Sequence, residues 1–92
     1  MITAIVMINC SVNAISDTAQ LLAEIEEVSK VYSVTGDVDL VAIVELKRYE
    51  DLSRVVTDGI ARTPGVEKIS THLAFRTYSS DELEHAFQLG LD

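Results

Sequence analysis

Ninety-two residues are enough for one domain and no more. Nearly half are apolar, 48%, with a single proline, which excludes a disordered chain. Fifteen acids against seven bases give a net charge of −8, and the only adjacent basic pair is Lys47-Arg48, so the basic footprint of a nucleic-acid binder is absent.

The first element is an extended run, Ile2 to Cys10. Ile2, Ala4, Val6, Ile8 and Cys10 share one face; Thr3, Ile5, Met7 and Asn9 share the other. No basic region precedes an apolar stretch here, so neither a signal peptide nor a membrane span is expected, and the expected setting is the cytoplasm. Cys10 is the one cysteine: it has no internal disulfide partner and no zinc spacing. No metal or cofactor motif is present, and none is expected.

Ser11-Val12-Asn13 reads as a loop. Ser16-Asp17 then opens a helix, with Asp17 and Gln20 at capping-box spacing. Leu21, Leu22, Ile25 and Val28 recur at helical spacing, and Glu24, Glu26 and Glu27 take the wet face. From Val28 the period changes to two. A strand, the turn at Gly36-Asp37 and a second strand from Asp39 to Leu46 predict an antiparallel hairpin.

Glu50 to Arg62 forms the second amphipathic helix. Its stripe is Leu52, Val55, Val56, Gly59 and Ile60, and Thr63-Pro64-Gly65 stops it. Val66 to Tyr78 is the last strand, with Ile69, Thr71, Leu73 and Phe75 on one face and Ser70, His72, Ala74 and Arg76 on the other. Ser79 and Glu82 would cap a short final helix carrying Leu83, Phe87 and Leu91.

The order β-α-β-β-α-β predicts a single α+β domain over residues 1–92: a ferredoxin-like sandwich of a four-stranded antiparallel sheet with two helices on one face, plus a short C-terminal helix. The other sheet face would then expose several of Ile5, Met7, Val44 and Leu40, depending on register. Such a patch marks an interface, and a face-to-face homodimer is expected.

Candidate chemistry is sparse. His72 and His85 are far apart in sequence, with no carboxylate or cysteine at metal-ligand spacing and no nucleophile motif beside them, which gives the expectation of a non-enzyme. Asp37 and Asp39 follow the Thr35-Gly36 turn. Their carboxylates would either bond nearby backbone amides or hold a cation, while free loop N–H groups hold an anion. A loop offering both suits a zwitterion such as a free amino acid.

The stretch Val31 to Tyr78 resembles the effector-binding (RAM) domain of the Lrp/AsnC transcription regulators. The features that carry it are V-T-G-x-x-D-L at Val34–Leu40, T-P-G-V at Thr63–Val66 and the Ser70-Thr71 pair, and a weaker likeness reaches both ends. The resemblance implies dimers formed through the sheets, further assembly to octameric rings, and small effectors bound near the V-T-G-x-x-D loop. Carried over by position, Thr35, Gly36, Asp37 and Asp39 form the loop side of a pocket, Val34 and Leu40 flank it, and Ser70 and Thr71 offer the other wall. Asp39 is expected to hold the effector's ammonium, and amides around Gly36 its carboxylate.

Typical members carry an N-terminal helix-turn-helix domain, and this sequence starts at the effector domain. It is therefore expected to act without touching DNA, through a partner, for which a full-length relative is one candidate. Rival readings are a dimeric α+β barrel enzyme, such as a small monooxygenase or isomerase, a pure assembly element with no ligand, and a related amino-acid-binding ACT-like module.

Overall fold

A computed structural model describes residues 1–80. The expected C-terminal helix, its capping pair Ser79–Glu82 and His85 fall wholly or partly outside them. The elements are β1 (Ile2–Cys10), a 3-10 turn (Val12–Ala14), α1 (Ile15–Ala23), β2 (Val28–Ser33), β3 (Leu40–Leu46), a second helical segment and β4 (Val66–Ala74). That second segment, α2, begins as a 3-10 turn at Tyr49–Asp51 and is π-helical over Arg54–Ile60. The sheet order is β2-β3-β1-β4, with every neighbouring pair antiparallel. This is the ferredoxin-like α+β arrangement.

Apolar residues, many of them β-branched, dominate β1 and β3, and strict alternation decides which side chains enter the core. Ala4, Val6, Ile8 and Cys10 of β1 are buried, as are Leu40, Ala42, Val44 and Leu46 of β3. Leu22 from α1 and Val55, Val56 and Ile60 from α2 close the same core. Thr18 is the buried polar residue among them, and its hydroxyl donates to the Pro64 carbonyl at 2.8 Å.

The register Ile5↔Ile43 and Met7↔Val41 defines the second face. It carries Ile5, Met7, Val41 and Ile43, all half-buried, with no helix against it among the described residues. Leu40 and Val44, expected there as alternatives, are instead fully buried, because they pair with the core residues Ile8 and Ala4.

Several boundaries differ from expectation. Helix α1 starts at Ile15, its N-cap is Ala14, and no side chain caps it, so Asp17 and Gln20 form no capping box. The preceding 3-10 turn, closed by the Ala14 N–H on the Ser11 carbonyl at 3.0 Å, leads the chain into the helix instead. In α2 the Ala61 N–H reaches the Val56 carbonyl at 2.8 Å, five residues back, and the segment ends at Ile60 rather than Arg62. β4 ends at Ala74, not Tyr78, because Ala74 already pairs with Thr3 near the start of β1.

The ladders slip once on each edge strand. The β1–β4 register shifts between Asn9 and Cys10, where Cys10 pairs with Val66 and Glu67 is left unopposed. The β2–β3 register shifts between Val28 and Lys30, leaving Ser29 unopposed.

Candidate functional site

The loop from Val34 to Asp39 turns on Gly36, whose φ of 111° is outside the range other residues adopt without strain. Four hydrogen bonds hold it. The Val34 N–H donates to the Asp39 carbonyl at 3.1 Å, and the Asp39 N–H donates to the Ile8 carbonyl at 2.9 Å. Asn9 Nδ2 donates to the Asp37 carbonyl at 2.9 Å. The Cys10 N–H donates to Asp39 Oδ2 at 2.8 Å.

The last of these bonds has a clear cause. The β1–β3 ladder stops at Ile8↔Leu40, so Cys10 lies past the end of β3. A backbone N–H there needs another acceptor, and the Asp39 carboxylate supplies a charged one. The Cys10 thiol beside it is pushed above its ordinary pKa, first by burial and then by the charges of Asp39 and Glu67. It stays a neutral thiol at physiological pH.

Next to this loop, on the helix-free face, lies a hollow of about 370 Å³. Asp37 and Val38 come from the loop, Met7 and Asn9 from β1, and Lys68, Ile69 and Ser70 from β4. Lys68 and Ser70 reach the same face because they pair with Asn9 and Met7. Ser70 Oγ lies 3.3 Å from His72 Nε2, one step further along that face. Neither the Asp37 carboxylate nor the Lys68 ammonium makes an ion pair among the described residues. The hollow thus offers that anion and that cation, an amide, a hydroxyl and apolar side chains.

Of the residues expected from sequence, Asp37 and Ser70 meet here. Val34, Thr35 and Gly36 are exposed on the loop but do not line the hollow. Asp39 is half-buried, with one carboxylate oxygen committed to Cys10. Leu40 is completely buried and faces the helices. Thr71 points to the opposite side of the sheet, where it borders a second hollow with Tyr49, Leu52 and Val56. Ser70 and Thr71 therefore cannot wall one pocket in one protomer. Met7, Asn9, Val38 and Lys68 were not expected, since only the β1–β4 register brings them to the loop.

The family profile described as the Lrp/AsnC ligand binding domain matches residues 3–83. The chain belongs to the Lrp/AsnC family. It is 34% identical over 80 residues to an uncharacterized HTH-type transcriptional regulator of Pyrococcus abyssi, covering 87% of this chain and 54% of that protein. The chain spans about half the length of the curated relatives it matches. A Thermus thermophilus protein of known crystal structure superposes with a TM-score of 0.81 at 49% identity, covering 86% of this chain and 99% of that one. The feast or famine regulatory protein of M. tuberculosis, solved in complex with L-methionine, superposes with a TM-score of 0.73 at 27% identity, covering 88% of this chain and 54% of that one. No helix among the described residues is long and apolar enough to cross a membrane.

Proposed function

We propose that this Lrp/AsnC domain is a non-catalytic sensor that binds a free amino acid and passes the signal to a partner chain. The observation that carries the reading is the hollow whose rim holds a carboxylate and an ammonium, neither of them paired among the described residues. Asp37 takes the effector's ammonium, and Lys68 takes its carboxylate. Val38 receives an apolar side chain, and Asn9 and Ser70 complete the polar wall. Asp39 serves by fastening the loop to β1, and Thr35 and Gly36 shape the turn. The L-methionine complex of the M. tuberculosis relative supports the ligand class.

The helix-free face, with Ile5, Met7, Val41 and Ile43, joins two copies sheet to sheet. Burial of such a patch stabilises a dimer at roughly 25 cal/mol per Å² of apolar area before the costs of association. A charge of −8 opposes direct contact with DNA, so the output runs through a protein partner.

A thermal-shift screen of the twenty amino acids tests this. A ligand at about 100 times its Kd stabilises by about 2.7 kcal/mol. For a domain of this size that raises Tm by roughly 10–20 °C. Asp37→Asn and Lys68→Met should each abolish the shift while leaving the ligand-free Tm within about 2 °C, since exposed charges contribute little to stability. The reading is lost if no amino acid moves Tm, or if the shift survives both substitutions.

A further inference from the structure

The second hollow, about 570 Å³, opens on the helix side of the sheet between α2 and β4. Tyr49, Leu52 and Val56 make it largely apolar, Thr57 and Thr71 border it, and Glu50 stands on its rim. None of these residues belongs to the effector hollow, so the two hollows can be occupied independently.

The same chain carries an exposed aromatic arm. After Ala74 the backbone leaves the sheet and pairs with no strand among the described residues. Phe75 is 96% exposed and Tyr78 81%. Arg76 stacks its guanidinium 5.7 Å from the Tyr78 ring centroid, so the arm presents two aromatics and one cation as a unit. Two aromatics exposed on so short a segment make an apolar surface that nothing among the described residues covers.

We propose that this arm, Phe75 to Tyr78, docks in the Tyr49–Val56 groove of a second copy of the chain. Three observations select that occupant. The arm follows β4, whose Thr71 borders its own groove, yet Phe75 is exposed and the groove stays open among the described residues. An aromatic side chain suits a groove lined by Tyr49, Leu52 and Val56. The charges match: the arm's cation, Arg76, meets the rim carboxylate of Glu50, in a chain whose net charge of −8 otherwise repels its own copies. Because arm and groove are both present on every copy, the contact can be made twice about a two-fold axis. It lies on the opposite side of the sheet from Ile5 and Met7, and so joins units that the helix-free faces do not.

Mixed disulfide trapping tests the contact between copies. Thr57→Cys and Thr77→Cys, which leave Phe75 and Tyr78 in place, are made in separate, differently tagged full-length chains, mixed and mildly oxidised, and the bond is located by peptide mass spectrometry. The proposal expects a disulfide joining the two introduced thiols across the two tags. Its absence from the mixture overturns the proposal. So does a bond found only within one chain when both substitutions are combined, because that places the arm in its own groove. Sedimentation adds an independent readout. Glu50→Arg and Arg76→Glu should each weaken association about two- to fivefold, and the double reversal should restore it. Phe75→Asp should weaken it about tenfold or more. Association unchanged by all three variants overturns the proposal as well.

Discussion

Two turns in this molecule look alike in sequence and behave as opposites in structure. Thr35-Gly36-Asp37 and Thr63-Pro64-Gly65 each place a glycine at positive φ, 111° at Gly36 and 93° at Gly65. Gly36 has open space where a Cβ would stand, with nothing within 4 Å. At Gly65 the same atom would collide with the hydroxyl of Thr18 and press on Ala14. The Gly65 turn is a packed joint: its carbonyl accepts the Ser11 N–H at 2.9 Å, and Pro64 accepts from buried Thr18. The Gly36 turn is tied at its base and bare at its tip. A glycine thus marks a conformation in both places, but only the tertiary neighbours tell a structural joint from a loop free to meet a ligand.

The largest effect that would separate the two turns is expected from Gly65→Ala. Left-handed strain and overpacking against Thr18 add, and the expected loss is about 3 kcal/mol or more. Chemical denaturation would read it, and a loss below about 1 kcal/mol would mean that the joint yields. Next comes Asp39→Ala, which orphans the Cys10 N–H and should cost about 1–3 kcal/mol. It should also speed labelling of the Cys10 thiol, by removing one of the charges that hold its pKa up. Labelling as slow as in the parent chain would show that Asp39 does not secure that end of β1.

Gly36→Ala should cost less, about 1 kcal/mol of backbone strain with no packing penalty. A loss equal to that of Gly65→Ala would erase the distinction between the turns. The smallest effect lies away from both. Glu27 accepts from Arg54 at 2.7 Å, and that bond, then a backbone hydrogen bond, holds its carboxyl below the ordinary value. A depressed folded pKa stabilises fully above the unfolded value near 4.5 and is lost as pH falls through the folded one. Glu27→Gln should therefore flatten the acid limb of Tm against pH by on the order of a degree or two, in the region below about pH 5.

The fold was legible wherever the pattern is local. Alternation in Ile2–Cys10 names the buried set correctly, and the stripe Val55, Val56, Ile60 enters the core as spaced. Chain ends of elements were not legible, because distant residues set them: β4 stops where β1 runs out at Thr3. The π-helical winding of α2 left no local mark in the sequence either. For the candidate site, Asp37 and the loop were readable from turn chemistry. Lys68 and Asn9 were not, since they meet the loop only through a register that slips at Cys10. Thr71 is a different case: alternation already set it apart from Ser70, and family likeness overrode that parity.

The two unopposed residues, Ser29 and Glu67, bear on how large an assembly can grow. Each sits in an edge strand, β2 or β4, and each breaks the even spacing of backbone groups that another strand would need to lie alongside. Endless growth by strand addition is thereby discouraged at both borders of the sheet. Any association of copies is thereby confined to contact through faces and side chains, a geometry that can close on itself.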